Sequence, residues 1–582
     1  MPYKNLTDEQ MDAVVYNDNM LLSACPGSGK TRTLVSKLCH IIDNSEELLI
    51  GKRKVVAITY TNIAANTIQE RLLSYGVESK SLWVGTIHAL CLQWIIMPNI
   101  NIISRLCGGF IIIDEHEKET KISELKENYG FKSYNHIDTA LNLDNIPQYS
   151  AETKEYKLTI DYHRYLAENN YIDFDLILNI SHRLLQSNPK LCKRLGNLFY
   201  HILVDEYQDT SVMQYEILKC IIKQKQTKIT LIGDREQAIY TGLGAIVKSK
   251  SELESFFELD FSLQEKRLTG CFRSSQKIIN HYPKYQDEGY GIDSKSNLRN
   301  YPSVVHLERS LHKDNLADYV ADIVKQHLTE GIPEKEIAIL CPSWFDVINM
   351  SKNISTLNKG FNIDGVLISP IPKNQDNFWL ILIRLVLTKP SIHNYIKRKW
   401  YANELSEKLT DISFDEEVIN PKTILRTVNS LNVQFDKEID EWIEEIIVSF
   451  CKRLRIELTE NDLFHEGMKS ILNATRARMT KYKMDYKASE LEKFFSSSSG
   501  VKITTAHSTK GDEYEVVICT GLLEGKIPHW NDIMGCGDTH QDYVARRLLY
   551  VISSRAKKHL YLISELGYRT TKGAPYRPTR QL

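Results

Sequence analysis

A chain of 582 residues is too long for one hydrophobic core and predicts about three to five domains or subdomains. Its 42% hydrophobic and 25% charged content is that of ordinary globular protein, and 73 basic against 74 acidic residues leave a net charge of −1. That balance excludes a bulk basic field, so any polyanion must be held locally, along a groove. The 11 cysteines form no CxxC pair and no short His/Cys ligand cluster, which predicts a reduced chain without structural zinc. Several of them (Cys39, Cys220, Cys519) lie inside apolar runs, where cysteine packs as a small hydrophobe. The start, Met-Pro-Tyr-Lys-Asn-Leu-Thr-Asp-Glu-Gln, is polar and no apolar run approaches ~18 residues, so neither a signal peptide nor a membrane span is expected.

In chain order, the first chemical signal is Ala24-Cys-Pro-Gly-Ser-Gly-Lys-Thr31, fed by apolar residues and continued by the helical Thr33-Leu-Val-Ser-Lys-Leu. In such a strand, loop and helix, the backbone N–H groups around Ala24, Gly27, Ser28 and Gly29 surround phosphates together with Lys30, while Thr31 ligates Mg²⁺. The run His201-Ile-Leu-Val ends in Asp205-Glu206. An acid at such a strand end, Asp205, can hold Mg²⁺ through its water shell, and the next, Glu206, can orient and deprotonate an attacking water. A merely solvated strand terminus is the competing reading of two adjacent acids, and the upstream phosphate loop weighs against it. Lys54-Val-Val-Ala-Ile-Thr, His201-Ile-Leu-Val-Asp, Thr230-Leu-Ile-Gly-Asp, Ile337-Ala-Ile-Leu-Cys and Glu515-Val-Val-Ile-Cys are short, β-branched runs separated by helical periods. They predict strands buried on both faces of parallel sheets, hence an α/β fold.

Further blocks are Leu6-Thr-Asp-Glu-Gln10, Ala57-Ile-Thr-Tyr-Thr-Asn62, Gly85-Thr-Ile-His88, Ile232-Gly-Asp-Arg-Glu-Gln-Ala-Ile-Tyr240, Cys271-Phe-Arg-Ser274, Ile503-Thr-Thr-Ala-His-Ser-Thr-Lys-Gly511 and Arg546-Arg-Leu-Leu-Tyr-Val-Ile-Ser-Ser-Arg-Ala556. In content, order and spacing the series resembles the UvrD/Rep family of superfamily 1 DNA helicases. The resemblance implies two RecA-like parallel-sheet motor domains with two mostly helical accessory subdomains inserted, and ATP with Mg²⁺ between the motors. By matched position, Gln10 and Arg32 fall at the adenine and Phe272 stacks on it, Glu513 lies near the sugar, and Gln237 senses the γ-phosphate. Arg273 and Arg555 match the two arginines brought by the second motor half to the developing γ-phosphate charge. The blocks carrying Thr59, Tyr60, Asn62, Thr86, His88, Tyr240 and His507 match the family's nucleic-acid side.

The chain departs from the family on that side. Gly242 and Leu243 stand where relatives carry a base-stacking aromatic and an arginine, Ile63 replaces a lysine, Val544-Ala545 replace two acids, and Ser554 stands for threonine. A stacking platform contributes ~1 to 3 kcal/mol per base, so stacking would fall to Tyr60 and Tyr240. The resemblance places the first motor half at 1–88 and 197–265, a helical subdomain at 89–196, the second motor half at 266–389 and 500–582, and a shortened second subdomain at 390–499. The run Ser496-Ser-Ser-Ser-Gly500 reads as a flexible joint. Two basic, aromatic-interleaved stretches, Ile392 to Trp400 and Arg476 to Lys487, read either as phosphate or partner contacts or as solvated helix faces, and the tail from Tyr568 to Leu582 as mobile.

The expectation is an ATP-dependent helicase or translocase on single-stranded DNA and single/double-strand junctions, moving 3′ to 5′, cytoplasmic, a monomer or part of a hetero-complex. The rival is a DNA-sensing ATPase subunit that regulates a separate nuclease partner, as in anti-phage systems such as Gabija, whose helicase components share this architecture.

Overall fold

The computed structural model describes residues 3, 5–45, 48, 53–77, 79–113, 115–132, 135–239, 248–259, 263–287, 289–357, 359–364, 369–371, 377–391, 394–412, 419–456, 458, 463–481, 486–491, 500–529, 533, 538–570 and 573–582. Tyr240, Gly242, Leu243, most of the serine run and parts of both basic stretches lie outside these residues.

In the first half the strands are β1 (Met20–Ala24), β2 (Lys54–Thr59), β3 (Leu82–Thr86), β4 (Ile111–Ile112), β5 (Tyr171–Ile172), β6 (Phe199–Asp205), β7 (Lys228–Gly233) and β8 (Gln264–Leu268). Six of them form one parallel sheet in the order β3-β2-β6-β7-β1-β8. All seven residues of β6 are buried, as expected of a strand covered on both faces. A second set comprises β9 (Gly270–Cys271), β10 (Asp293–Ser294), β11 (Val304–Glu308), β12 (Ile337–Cys341), β13 (Ile363–Asp364), β14 (Val501–Thr505), β15 (Tyr514–Cys519) and β16 (Ala556–Ile563). Here the six-stranded parallel sheet runs β11-β16-β15-β12-β14-β13. The α/β class with two parallel-sheet halves is therefore what the molecule shows.

Helices fill both intervals between the strands of each sheet. Between β3 and β6 lie, among others, Lys154–Glu168 and Phe174–Ser187, whose Tyr162, Leu166 and Ile177 share one core with Val56, Ile58 and Ile202 of the first sheet. Between β13 and β14 the helices Phe378–Leu387, Ile439–Leu454 and Leu463–Lys481 close around Trp379 and Trp442, both 0% exposed, in a cluster of their own. The indole N–H of Trp379 donates to Phe464 O at 2.9 Å, so its burial leaves no orphan donor.

Three sequence expectations change. The join placed at 265–266 falls inside β8, which pairs with β1 through Leu268; its sequence Gln-Glu-Lys-Arg-Leu is that of a polar edge strand and carries no apolar run. The tail is docked: Thr579 N donates to Leu522 O at 3.0 Å, Thr579 Oγ1 to Ile527 O at 2.6 Å, and Arg580 pairs with Glu524 at 2.6 Å. In the first basic stretch Arg398 is buried, donating to Leu385 O, Thr388 O and Asn429 Oδ1, and in the second Arg476 pairs with Asp440 at 2.7 Å. Arg398 thus holds helices together inside the subdomain, whereas the exposed Arg476 keeps to a solvated helix face in an ion pair.

The N-terminal helix α1 (Asp8–Val15) is bound to α2 (Lys30–Asn44) by Lys37, whose buried Nζ donates to Ala13 O at 3.1 Å and to Tyr16 O. Burial pushes the Lys37 ammonium down to about 7. Because that folded value lies below the unfolded ~10.4, the folded state binds fewer protons between these limits and the site's contribution to stability grows as pH rises through them. Lys37→Met leaves the buried Ala13 O and the part-buried Tyr16 O without this donor and is expected to cost ~1 to 3 kcal/mol in the first urea transition, with the difference from wild type larger at pH 9 than at pH 7.

Candidate active site in the cleft between the sheets

The site is assembled at the carboxyl ends of β1, β6 and β7, the edge where parallel sheets place their ligands. After β1, Gly27 (φ 71°) and Gly29 (φ 80°) take left-handed conformations that turn the loop into α2. The first-turn N–H groups of α2 have no intrahelical acceptor and carry the positive end of its dipole. Ser28 Oγ is buried in this loop without a hydrogen-bond partner. Donor N–H groups, Lys30, an unspent hydroxyl and a glycine backbone form a donor set that fits a nucleotide's phosphates.

Lys30 Nζ meets Glu206 Oε2 at 3.0 Å, and Gln208 Nε2 donates to the same oxygen at 2.5 Å. Glu206 itself sits at φ 53°, a left-handed position that an L side chain occupies only under constraint, at the tip of the β6 turn. Burial alone would raise its carboxyl, but Lys30 and Lys510 outweigh it and hold Glu206 down at about 2. Burial and the adjacent Glu206 charge push Asp205 up to about 7. Thr31 is half-buried on the first turn of α2. Its hydroxyl and the Asp205 carboxyl are an oxygen donor pair of the kind Mg²⁺ takes alongside waters and phosphates.

The second half closes the cleft. Arg555, 2% exposed, donates from Nη2 to Gln237 Oε1 at 2.7 Å, and the Gln237 amide donates in turn to Asp234 Oδ2 at 2.8 Å. Arg273 donates to Glu513 at 2.7 Å and to Ser554 O at 2.8 Å. Phe272 N donates to Gly27 O at 2.8 Å, and a Cβ on Gly27 would meet Arg273 Cβ at 2.6 Å, so the phosphate loop and the Phe272-Arg273 segment are in direct apposition. Phe272 is 41% exposed. Gln10 belongs to a capping box with Thr7 and its Nε2 donates to Ser28 O at 2.8 Å, fixing α1 onto the loop. Arg32 is half-buried on α2. The structure thus brings Gln10, the loop, Lys30, Thr31, Asp205, Glu206, Gln237, Phe272, Arg273, Glu513 and Arg555 to one cleft.

Three members have no role in the sequence reading. Lys510 donates to Asp209 Oδ2 at 2.5 Å and to Gln237 O at 3.0 Å, tying the β14–β15 loop to the first half. Gln208 accepts from Asp234 N at 3.1 Å while holding Glu206, and Asp234 orients Gln237. Asp234 and Lys510 lie inside the Ile232 to Tyr240 and Ile503 to Gly511 blocks, and Gln208 two residues after Glu206, which is the only signal the sequence gives for them.

The nucleic-acid candidates are less unified. Tyr60 is 47% exposed beyond β2, and Asn62 and His507 are exposed. Thr59 is buried and does not face solvent, while Thr86 caps the short helix after β3 through Ala89 N. His88 packs edge-on against Phe174 at 5.3 Å. Tyr240 lies outside the described residues.

Comparison with known proteins agrees with this layout. The UvrD/REP helicase N-terminal domain matches residues 6–258 and the UvrD-like helicase C-terminal domain residues 398–566. The ATP-dependent DNA helicase PcrA of Staphylococcus aureus (strain MRSA252) is 24% identical over 621 residues, covering 96% of this chain and 83% of the relative. PcrA of Staphylococcus epidermidis (strain ATCC 35984) is 24% identical over 631 residues, with the same coverage of both chains. With both of the family's domains matched along it, the chain belongs to the UvrD-like superfamily 1 helicases.

Proposed function

We propose that the protein is an Mg²⁺- and ATP-dependent motor that translocates on single-stranded DNA from 3′ to 5′ and opens duplex at single/double-strand junctions, acting in the cytoplasm. The observation that carries this reading is the Arg555–Gln237 hydrogen bond of 2.7 Å, which joins an arginine just before β16 in the second half to a residue of the turn after β7 in the first half. An arginine so placed makes hydrolysis depend on the relative position of the two halves, and that dependence couples chemistry to movement.

Bound Mg·ATP supplies the phosphoanhydride whose cleavage drives the cycle. The loop N–H groups and Lys30 would hold the phosphates, and Thr31 and Asp205 would hold the cation. Lys30 serves Glu206 in the geometry described, so phosphate capture draws Lys30 away and leaves Glu206 to orient a water and take its proton. Gln237 positions that water's target, and Arg555 and Arg273 neutralise charge as it develops. Phe272, Gln10, Arg32 and Glu513 hold the base and sugar. Among the described residues no helix is long and apolar enough to cross a membrane.

The second reading, an ATPase subunit that regulates a nuclease partner, is favoured by Gly242 and Leu243 at the places of the stacking aromatic and arginine. Strand displacement separates the two: a motor releases the short strand from a 3′-tailed duplex and not from a 5′-tailed one, whereas a regulatory subunit hydrolyses ATP without displacement.

Glu206→Gln is expected to keep fluorescent-nucleotide binding near wild type while turnover falls by ~10² or more, and Lys30→Ala to lose both. Retained turnover in Glu206→Gln under DNA stimulation would remove the carboxylate from its role. Arg555→Ala and Arg273→Ala should each lower kcat by ~10³ with a smaller change in nucleotide affinity; equal loss of both would make them ground-state ligands.

A further inference from the structure

β12 and β14 are parallel neighbours with Cys341 opposite Thr505, so the chain leaves both strands at one edge of the second sheet. Ala506 N donates to Cys341 O at 3.4 Å across that edge. Beyond Cys341 the chain continues as Pro342-Ser343-Trp344-Phe345, the entry to helix Trp344–Leu357. Trp344 is 57% exposed and Phe345 72%, two adjacent large aromatics facing water in a first helical turn. Their backbone is held: Ser343 Oγ accepts from Asp346 N at 3.2 Å and donates to Asp346 Oδ2 at 2.7 Å, and Lys526 pairs with Asp346 at 2.7 Å. A capped, bridged turn that shows two rings to solvent marks an interaction site, because leaving that apolar area wet brings the fold no gain.

We propose that Trp344 and Phe345 are the base-stacking platform of the second motor half, with single-stranded nucleic acid as the occupant; this rests on the motor reading above. Three observations select a nucleic acid over a protein. The first sheet carries its exposed Tyr60 at the matching carboxyl edge, just past β2, so both halves present an aromatic at the ends of their strands. The segment that starts beside the platform at Ala506 passes the exposed His507 and ends at Lys510, which donates to Gln237 O at 3.0 Å, so a strand lying on the rings is one short loop from the cleft. Finally, the first half carries Gly242 and Leu243 where the family resemblance implies a stacking aromatic and an arginine, and every base offers a π-face that these two rings accept without sequence preference.

The test is binding of a fluorescein-labelled oligo-dT to the full chain by anisotropy across a salt series, with Trp344→Ala, Phe345→Ala and Trp344→Phe, each checked for wild-type melting by circular dichroism. Each alanine variant is expected to bind roughly 5- to 150-fold more weakly, the effect of losing one stack, and Trp344→Phe to recover most of the loss. The salt slope should stay at the wild-type value, since stacking releases no counterions. Oligo-dT should also quench tryptophan emission more in wild type than in Trp344→Phe. Wild-type affinity in both alanine variants, a reduced salt slope, or equal quenching overturns the platform. A wild-type chain that fails to bind oligo-dT at all removes the motor reading itself, a result distinct from variants that bind as wild type does.

Discussion

A buried guanidinium must spend its donors, and Arg555 spends them in a way that organises the cleft. It reaches Val551 O, Asp512 O, Thr509 O, Ser554 Oγ and Gln237 Oε1. All of these acceptors except Gln237 belong to the second half. Leaving a charge at 2% exposure without them would cost several kcal/mol, so the helix that ends at Ser554 and the loop from Thr509 to Asp512 are fixed relative to each other by one side chain. The remaining donor then has to find its partner across the cleft. That residual demand is one physical link between the halves, beside those of Lys510 to Asp209 and of Phe272 N to Gly27 O.

The first half answers with an excess of acid. Asp205, Glu206, Asp209 and Asp234 are gathered within a few residues of strand ends, against Lys30 from α2 and Lys510 from the other half. Such a cluster is stable only while cations complete it, and one of the two lysines comes from across the cleft. Separation of the halves therefore exposes carboxylates to each other, and their approach neutralises them. The same charges that surround Glu206 also favour closure of the cleft.

The helical segments divide differently from the sheets. The helices between β3 and β6 share the core of the first sheet, whereas those between β13 and β14 surround Trp379 and Trp442 in a separate cluster. A segment with its own core can change orientation without unpacking a motor sheet, and one that shares a core cannot. Gly233 shows how tight the first half is: a Cβ there would meet Gln208 Oε1 at 2.1 Å, the side chain that also positions Glu206.

The parallel-sheet class, the phosphate loop and the Asp205-Glu206 strand end were legible from residues alone, because buried strands need continuous β-branched runs and phosphate needs glycine, lysine and a hydroxyl in one loop. Assignment of Gln10, Phe272, Arg273, Glu513 and Arg555 came from block order, which ranks them along the chain without saying that they meet. Only the tertiary structure brings Arg555 to Gln237 and Lys510 to Asp209, since those pairs are 318 and 301 residues apart in the chain and no local pattern encodes them. β8 is not legible in the sequence because an edge strand has one neighbour and tolerates polar residues, nor is the docking of the tail, because its anchors include backbone carbonyls at Leu522 and Ile527. Trp344 and Phe345 belong to none of the sequence blocks that carry chemistry. Their exposure is decided by which face of the second sheet is covered, a property of packing that sequence periodicity over so short a stretch does not carry.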